Sequence, residues 1–154
     1  MKKIRFKPKP GQIDYTKARW VPVINCVLNY KGKILIVQRS ENSNFYLNYW
    51  NGISGFLDDK KSLEQKVKEE LKEELGISEK EIKSIQLGEI FHQEALQYKK
   101  TWIVHPVLVK VRTDKIKLNW EAKDYKWIRL RDAKKLKLLP GFEKVLEKIS
   151  LIKK

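Results

Sequence analysis

The chain has 154 residues, 34 of them Lys or Arg against 19 Asp or Glu, for a formal net charge of +15. That length fits one domain, 1–154, with a sizeable core. No apolar run approaches the roughly 20 residues of a membrane helix, and the lone Cys26 excludes an internal disulfide.

Residues 1–19 are basic, with Pro8, Pro10 and Gly11, and read as an arm or a partly ordered strand. The opening MKKIRFKPKPG lacks an apolar signal core, so a cytoplasmic protein with no membrane partner is expected. Trp20–Asn29 and Lys33–Arg39 are Val- and Ile-rich runs joined by Tyr30-Lys31-Gly32, the pattern of a hairpin. Apolar residues at consecutive positions in ILIV predict a central strand buried on both faces, ending at Gln38 and Arg39. Residues 40–54 read as a polar, aromatic loop.

The stretch after it is a strongly signalled helix. Ser62 with Gln65 fits the S-x-x-Q capping box. Leu63, Val67, Leu71 and Leu75 recur every fourth residue as a buried stripe. Gly76 follows as a left-handed C-terminal residue, with Ile77 placed to pack back on Leu71. Ser78 with Glu81 repeats the capping signature for a short turn of helix. Ile85–Glu94 and Thr101–Arg112 read as strands linked by Gln97–Lys100, with Pro106 suggesting an edge or a bulge. Tyr125–Ile128 is a short strand. Arg131–Leu138 and Phe142–Ile152 read as helices separated by Pro140-Gly141. Strands on both sides of a central helix, with a terminal helix, predict an α/β fold whose sheet is covered on both faces.

Glu70, Glu73 and Glu74 stand at i, i+3 and i+4 of the predicted helix, so three carboxylates share one face. Like charges so close repel, by roughly 0.2–0.5 kcal/mol per pair on an exposed helix. The neighbouring Lys66, Lys68 and Lys72 are only partly interleaved to relieve it. Hard oxygen ligands in a cluster suit Mg²⁺ or Mn²⁺. At about 100° per residue, Glu74 falls at the edge of the buried stripe, Glu70 just outside it and Glu73 further round. The helix also lies in the acidic part of a basic chain: residues 61–98 carry 6 basic and 9 acidic side chains. An acidic metal site in a positive protein suits a polyphosphate substrate arriving with its cation. RNA would suit it too. Lysines greatly outnumber arginines, which weighs against specific nucleic-acid recognition.

The stretch Gly55–Ile77, GFLDDKKSLEQKVKEELKEELGI, resembles the Nudix box, G-x5-E-x7-R-E-U-x-E-E-x-G-U, where U is bulky and aliphatic. Gly55, Glu70, Leu71, Glu73, Glu74, Gly76 and Ile77 match; Lys61 stands where the pattern has Glu, and Glu69 where it has Arg. The resemblance takes in the preceding hairpin, NWEAKDYKWI and the C-terminal helix. It implies a Nudix α/β/α sandwich with a mixed β-sheet, and a Mg²⁺- or Mn²⁺-dependent pyrophosphohydrolase acting on a nucleoside diphosphate linked to another group. Glu70, Glu73, Glu74 and the Gly55 carbonyl would hold the metal. Glu73, Glu74 or Glu121 would serve as catalytic acids or bases, with Asp124 competing with Glu121. Arg39 would grip substrate phosphate through its planar fork.

The two departures exchange signs, so Lys61 and Glu69 are expected to pair and brace the loop against the helix. Asp58 and Asp59 offer a partial substitute for the missing Glu through a metal-bound water, although a turn preference explains them better. Three activities stay open: the hydrolase, a Nudix-fold nucleotide- or RNA-binding module with impaired catalysis, and a 5′-end RNA pyrophosphohydrolase. A homodimer is also left open. Cys26 is expected to be a buried, inert thiol, and His105, in an apolar strand, a satisfied core residue. Phe45, Tyr46, Tyr49, Trp50, Trp120 and Trp127 are candidates for stacking on a base or for the core.

Overall fold

The computed structural model describes residues 13–43, 45–57 and 60–150. Its strands are β1 (Trp20–Tyr30), β2 (Lys33–Arg39), β3 (Trp50–Asn51), β4 (Ile53–Phe56), β5 (Ile82–Leu87), β6 (Phe91–Ala95), β7 (Lys100–Val111) and β8 (Ala122–Ile128). The helices are α1 (Leu63–Leu75) and α2 (Phe142–Ser150).

One mixed sheet runs in the order β3-β2-β1-β7-β5, with β4 also pairing β1, β6 pairing β7 and β8 pairing β2. The β1/β7 pair is parallel, in register from Trp20↔Thr101 to Asn29↔Lys110, and the other pairs are antiparallel. Alternation along the central strands builds two cores. Ile24, Cys26, Leu28, Leu35, Val37, Val107 and Val109 face Val67, Leu71 and Leu75 of α1. Val27, Ile34, Ile36 and Leu108 face Phe142, Val145, Leu146 and Ile149 of α2. The expected α/β/α sandwich is the result. Among the described residues, no helix is long and apolar enough to cross a membrane.

Several boundaries move. The hairpin pairs only at Asn29↔Ile34 and Tyr30↔Lys33, after which β1 turns to β4 and β2 to β8 and β3. The region read as the loop 40–54 contains β3 and begins β4; strands of two and four residues are too short to show a period. The run Ile85–Glu94 is two strands, β5 and β6, split at Gly88–Ile90. That split explains Pro106, which lies mid-sheet rather than at an edge. Its carbonyl accepts from Gly88 N at 2.8 Å, so its missing N–H also faces the interruption, where no ladder partner is required. Residues 131–138 form a 3₁₀ turn, Leu130–Lys135, instead of an α-helix. The Ser78 turn forms over Glu79–Glu81, but the Ser78 side chain does not cap it. The short strand read at Tyr125–Ile128 starts earlier, at Ala122.

Of the predicted arm, residues 1–12 lie outside the described residues. The rest is held: the buried Lys100 Nζ donates to the carbonyls of Tyr15, Thr16 and Ala18 at 2.6, 3.2 and 2.7 Å.

Candidate active site

The register of α1 is set at both ends. Gln65 N donates to Ser62 Oγ at 3.2 Å and Ser62 N to Gln65 Oε1 at 3.0 Å, completing the capping box. Gly76, at φ 69°, ends the helix in the left-handed region, and Ile77 N donates to Leu71 O. With the stripe of Val67, Leu71 and Leu75 packed on the sheet, the adjacent i+4 row of Lys66, Glu70 and Glu74 is carried into the seam beside β4.

Burial grades across the acids. Glu70 and Glu74 are 6% and 8% exposed, whereas Glu73 is exposed. Carboxylate oxygens of Glu69, Glu70 and Glu73 lie within 4.8 Å of one another. Glu74 lies on the inner side, facing Glu121 and Glu70. Burial first, then the Glu121 carboxylate and then Glu70, push the Glu74 carboxyl well above the usual carboxylate range. Its Oε2 is buried without a hydrogen-bond partner. On the other side of Glu70 is Gly55 of β4, where a Cβ would come within 2.8 Å of Glu70 Cδ. Only glycine lets that strand approach so closely.

These features fit a divalent cation. The donors are hard oxygens, one buried carboxylate oxygen lacks a partner, and three acids face one another at a place where a cation would offset their repulsion.

Beside the acids opens a cavity of about 220 Å³, lined in part by Asn25, Arg39, Phe45, Glu70, Trp102 and Glu121. The walls are aromatic: Phe45 meets Trp102 edge-on at 5.1 Å, and Trp102 Nε1 donates to Tyr46 Oη at 2.9 Å. At the floor, Asn25 Nδ2 donates to Asn51 Oδ1 at 2.8 Å. The Asn25 Oδ1 sits where a Cβ on Gly52 would fall, 2.4 Å away, so Gly52 makes room for this amide pair.

Arg39, at the end of β2, is half-buried in the cavity wall, and its Nε donates to Phe45 O at 2.7 Å. Burial lowers its pKa, while Glu74 and Glu121 oppose the loss of charge. Glu121 is positioned by its neighbours. Ser40 N donates to Glu121 O at 2.9 Å, Ser40 Oγ to Trp120 O at 2.6 Å, and Glu121 N to Asn119 Oδ1 at 3.0 Å.

The structure thus lines one cleft with Gly55, Glu70, Glu121 and Arg39; Glu74 is buried against Glu121 and Glu70, and Glu73 is exposed beside Glu70. Asp124 lies further along β8, paired in register with Gln38. Lys61 and Glu69 meet in an ion pair, the expected sign-exchanged contact. Asp58 and Asp59 lie outside the described residues. Cys26 is buried on the α1 side, and burial, with Glu74 and Glu70 nearby, raises its thiol pKa. His105 is satisfied, its Nδ1 3.1 Å from the carbonyls of Val23 and Ile103, but it is half-buried rather than in the core. Phe45, Tyr46 and Trp50 are buried, and Trp120 is exposed.

Three features escaped the sequence reading. Lys66, taken for a flanking lysine, is buried against Glu70, and its place four residues before that acid was the available signal. The Asn25–Asn51 pair and the placing of Trp102 in the cavity wall depend on strand pairings that no local pattern reveals.

Comparison with known proteins agrees with this architecture. Among curated proteins, none matches the chain in sequence. The MutT protein from Methanosarcina mazei Go1 superposes with TM-score 0.70 at 22% identity, covering 87% of this chain and 95% of its own. The NUDIX domain of Shewanella oneidensis NrtR, complexed with ADP ribose, does so with TM-score 0.70 at 21% identity, covering 87% and 88%. A bifunctional NMN adenylyltransferase/ADP ribose pyrophosphatase from Francisella tularensis, complexed with AMP and Mn ion, gives TM-score 0.66 at 20% identity, covering 82% of this chain and 40% of its own. A family model described as the NUDIX domain matches residues 18–149, and with the box, the sandwich and the cleft in agreement the chain belongs to the NUDIX domain family, whose enzymes cleave phosphoric anhydride bonds.

Proposed function

We propose that the chain is a divalent-metal-dependent pyrophosphohydrolase that cleaves a nucleoside diphosphate linked to another moiety. The observation that carries this reading is the convergence of Glu70, Glu74 and Glu121, with an unpartnered buried carboxylate oxygen, beside an aromatic-walled cavity bearing one arginine. Binding of ADP ribose by the Shewanella domain supports the substrate class, and the Mn ion in the Francisella enzyme supports the cofactor.

Glu70, Glu73, Glu74 and the Gly55 carbonyl are the proposed ligands for Mg²⁺ or Mn²⁺. When bound, the ion would neutralise phosphate charge and lower the pKa of the attacking water. The rest falls to the chain. Arg39 grips a phosphate oxygen pair, a charge-assisted contact that also orients the anhydride. Phe45 and Trp102 enclose a planar base, with the Asn25–Asn51 amides at its edge. Glu121, or a glutamate of the cluster, takes the proton from water. The buried inner acids and the apolar walls keep bulk water from the reacting phosphate.

A turnover screen tests this. Nucleoside triphosphates, ADP-ribose and other nucleotide sugars, dinucleoside polyphosphates and 5′-triphosphate RNA are each offered with Mg²⁺ and with Mn²⁺. Hydrolysis of a nucleoside diphosphate derivative, abolished by excess EDTA, is the expected result. Full turnover after confirmed metal removal would sink the metal mechanism. Binding of ADP-ribose without turnover would make the chain a binding module, and turnover of RNA alone would move the substrate to 5′ ends.

A further inference from the structure

Lys66 is among the most completely buried side chains of the molecule, at 1% exposure. It stands one helical turn before Glu70 in the same i+4 row. Its Nζ lies 3.3 Å from Glu70 Oε1 and 3.9 Å from Glu69 Oε1, so one ammonium bridges the outer acid that pairs with Lys61 and an inner acid of the cleft. Across from it, the Glu70 carboxyl rests on the backbone of Gly55. The carboxylate is held from two sides.

A buried lysine here needs a reason. An apolar side chain of similar length would fill the same volume, but it would take the ammonium away from the buried Glu70 carboxylate. A cation beside a cation site also weakens metal affinity by direct repulsion. Metal affinity therefore does not account for an ammonium at this position; holding the buried Glu70 carboxylate, in charge and in orientation, does. The box pattern places a cation at residue 69, immediately before this acid, and this chain has Glu69 there. We infer that Lys66 is a positioning residue, a cation supplied from one turn earlier in α1 that fixes the Glu70 carboxylate for its work in the cleft. The inference rests on the hydrolase reading.

The signature is a split between affinity and turnover. Lys66→Met removes the charge and keeps the length; Lys66→Arg keeps the charge. Both are compared with the wild-type full chain, first by titration with Mn²⁺ alone followed by electron paramagnetic resonance. Kinetics on the best wild-type substrate come second. Lys66→Met should bind Mn²⁺ at least as tightly as wild type, with an altered spectrum of the bound ion. Its kcat should be lower by about 10- to 100-fold, the usual cost of losing a group that orients a ligand, with KM little changed. Lys66→Arg should keep most of the wild-type rate and spectrum. The inference is overturned if folded Lys66→Met has the wild-type spectrum and rate, or if folded Lys66→Arg is as impaired as Lys66→Met. Should Lys66→Met not fold, the arginine variant decides alone: the wild-type rate and spectrum sustain the inference, and a kcat loss of about 10-fold or more in folded Lys66→Arg overturns it. A wild type that binds Mn²⁺ but hydrolyses nothing would remove the hydrolase reading while the bound-ion spectra still judge Lys66. A wild type that binds no Mn²⁺ would overturn both.

Discussion

The two ends of the acidic seam on α1 solve the same problem in opposite ways. At the outer end the carboxylates are matched by the protein's own cations: Lys61 pairs with Glu69, and Lys68 bridges Glu64 and Glu79. At the inner end Glu70, Glu74 and Glu121 crowd together, and one buried oxygen has no partner. Lys66 stands at the boundary. An exposed acid pair matched by lysine is a local brace of modest energy. A buried acid cluster left short of positive charge is held at a cost, and a cation from outside relieves it. Lysines thus match the outer acids, whereas the inner acids share Lys66 and Arg39.

The strongest way to break this contrast is to neutralise one acid at each end. Glu74→Gln should lower kcat by about 10²-fold or more, as expected when a metal ligand or base is lost. Glu73→Gln, at the exposed edge, should also lower it, but less. Gln keeps the shape and helix propensity of Glu, so both variants should fold. Steady-state rates at saturating Mg²⁺ decide, and equal losses would erase the distinction between inner and outer acids.

A second test reads the inner cluster through stability. Because the folded-state pKa of Glu74 is raised, the folded chain favours its neutral form. The associated stability is fully present below the ordinary glutamate pKa, about 4.3, and is lost as pH rises through the raised value. In EDTA, the Tm advantage of Glu74→Gln over wild type should therefore widen as pH climbs out of the ordinary carboxylate range. Saturating Mg²⁺ should close that gap at neutral pH. A Tm difference that is flat with pH in EDTA would show that Glu74 is not strained by its neighbours.

The smallest effect belongs to the outer brace. Lys61 and Glu69 side chains are 47% and 22% exposed, so their coupling should be about 0.2–1 kcal/mol. Lys61→Glu and Glu69→Arg should each cost a little stability and activity, and the double variant should recover most of it. A double-mutant cycle by thermal denaturation and by kcat/KM measures this. Strict additivity would mean that the pair contributes nothing.

What could be read from the sequence followed from how local the determinants are. The helix α1 announces itself through Ser62, Gln65 and Gly76 with a stripe of fixed period, and its box carries the family. The Lys61–Glu69 contact followed from two departures in one motif. The β5/β6 split was hidden because a single Gly88 is weak punctuation and because Pro106, which faces it, lies on another strand. β3 and β4 were hidden by brevity. The cavity wall was hidden for a different reason: Asn25 and Asn51, or Phe45 and Trp102, meet only through tertiary pairing. Lys66 is visible at i−4 of Glu70, but its burial is not, because a helical wheel gives angle without giving what the helix packs against.

The parallel β1/β7 pair has a kinetic consequence. His105 and Val23, joined by a 3.1 Å contact, are 82 positions apart in the chain. Asn25 comes from the earlier strand, and Trp102 from the later one. Closing so large a loop costs entropy before any contact repays it, so topologies of this kind fold slowly. The cavity cannot exist in a nascent or half-folded chain, because its floor and wall are brought together by that last closure. During synthesis, α1 and its acids emerge well before the strand that completes the pocket. Yet α1 packs on Val107 and Val109 of that same strand, so the acid seam should gain its fixed geometry only in the closure that also completes the cavity. Refolding followed by Trp fluorescence, with and without Mg²⁺, would show whether the two are acquired together.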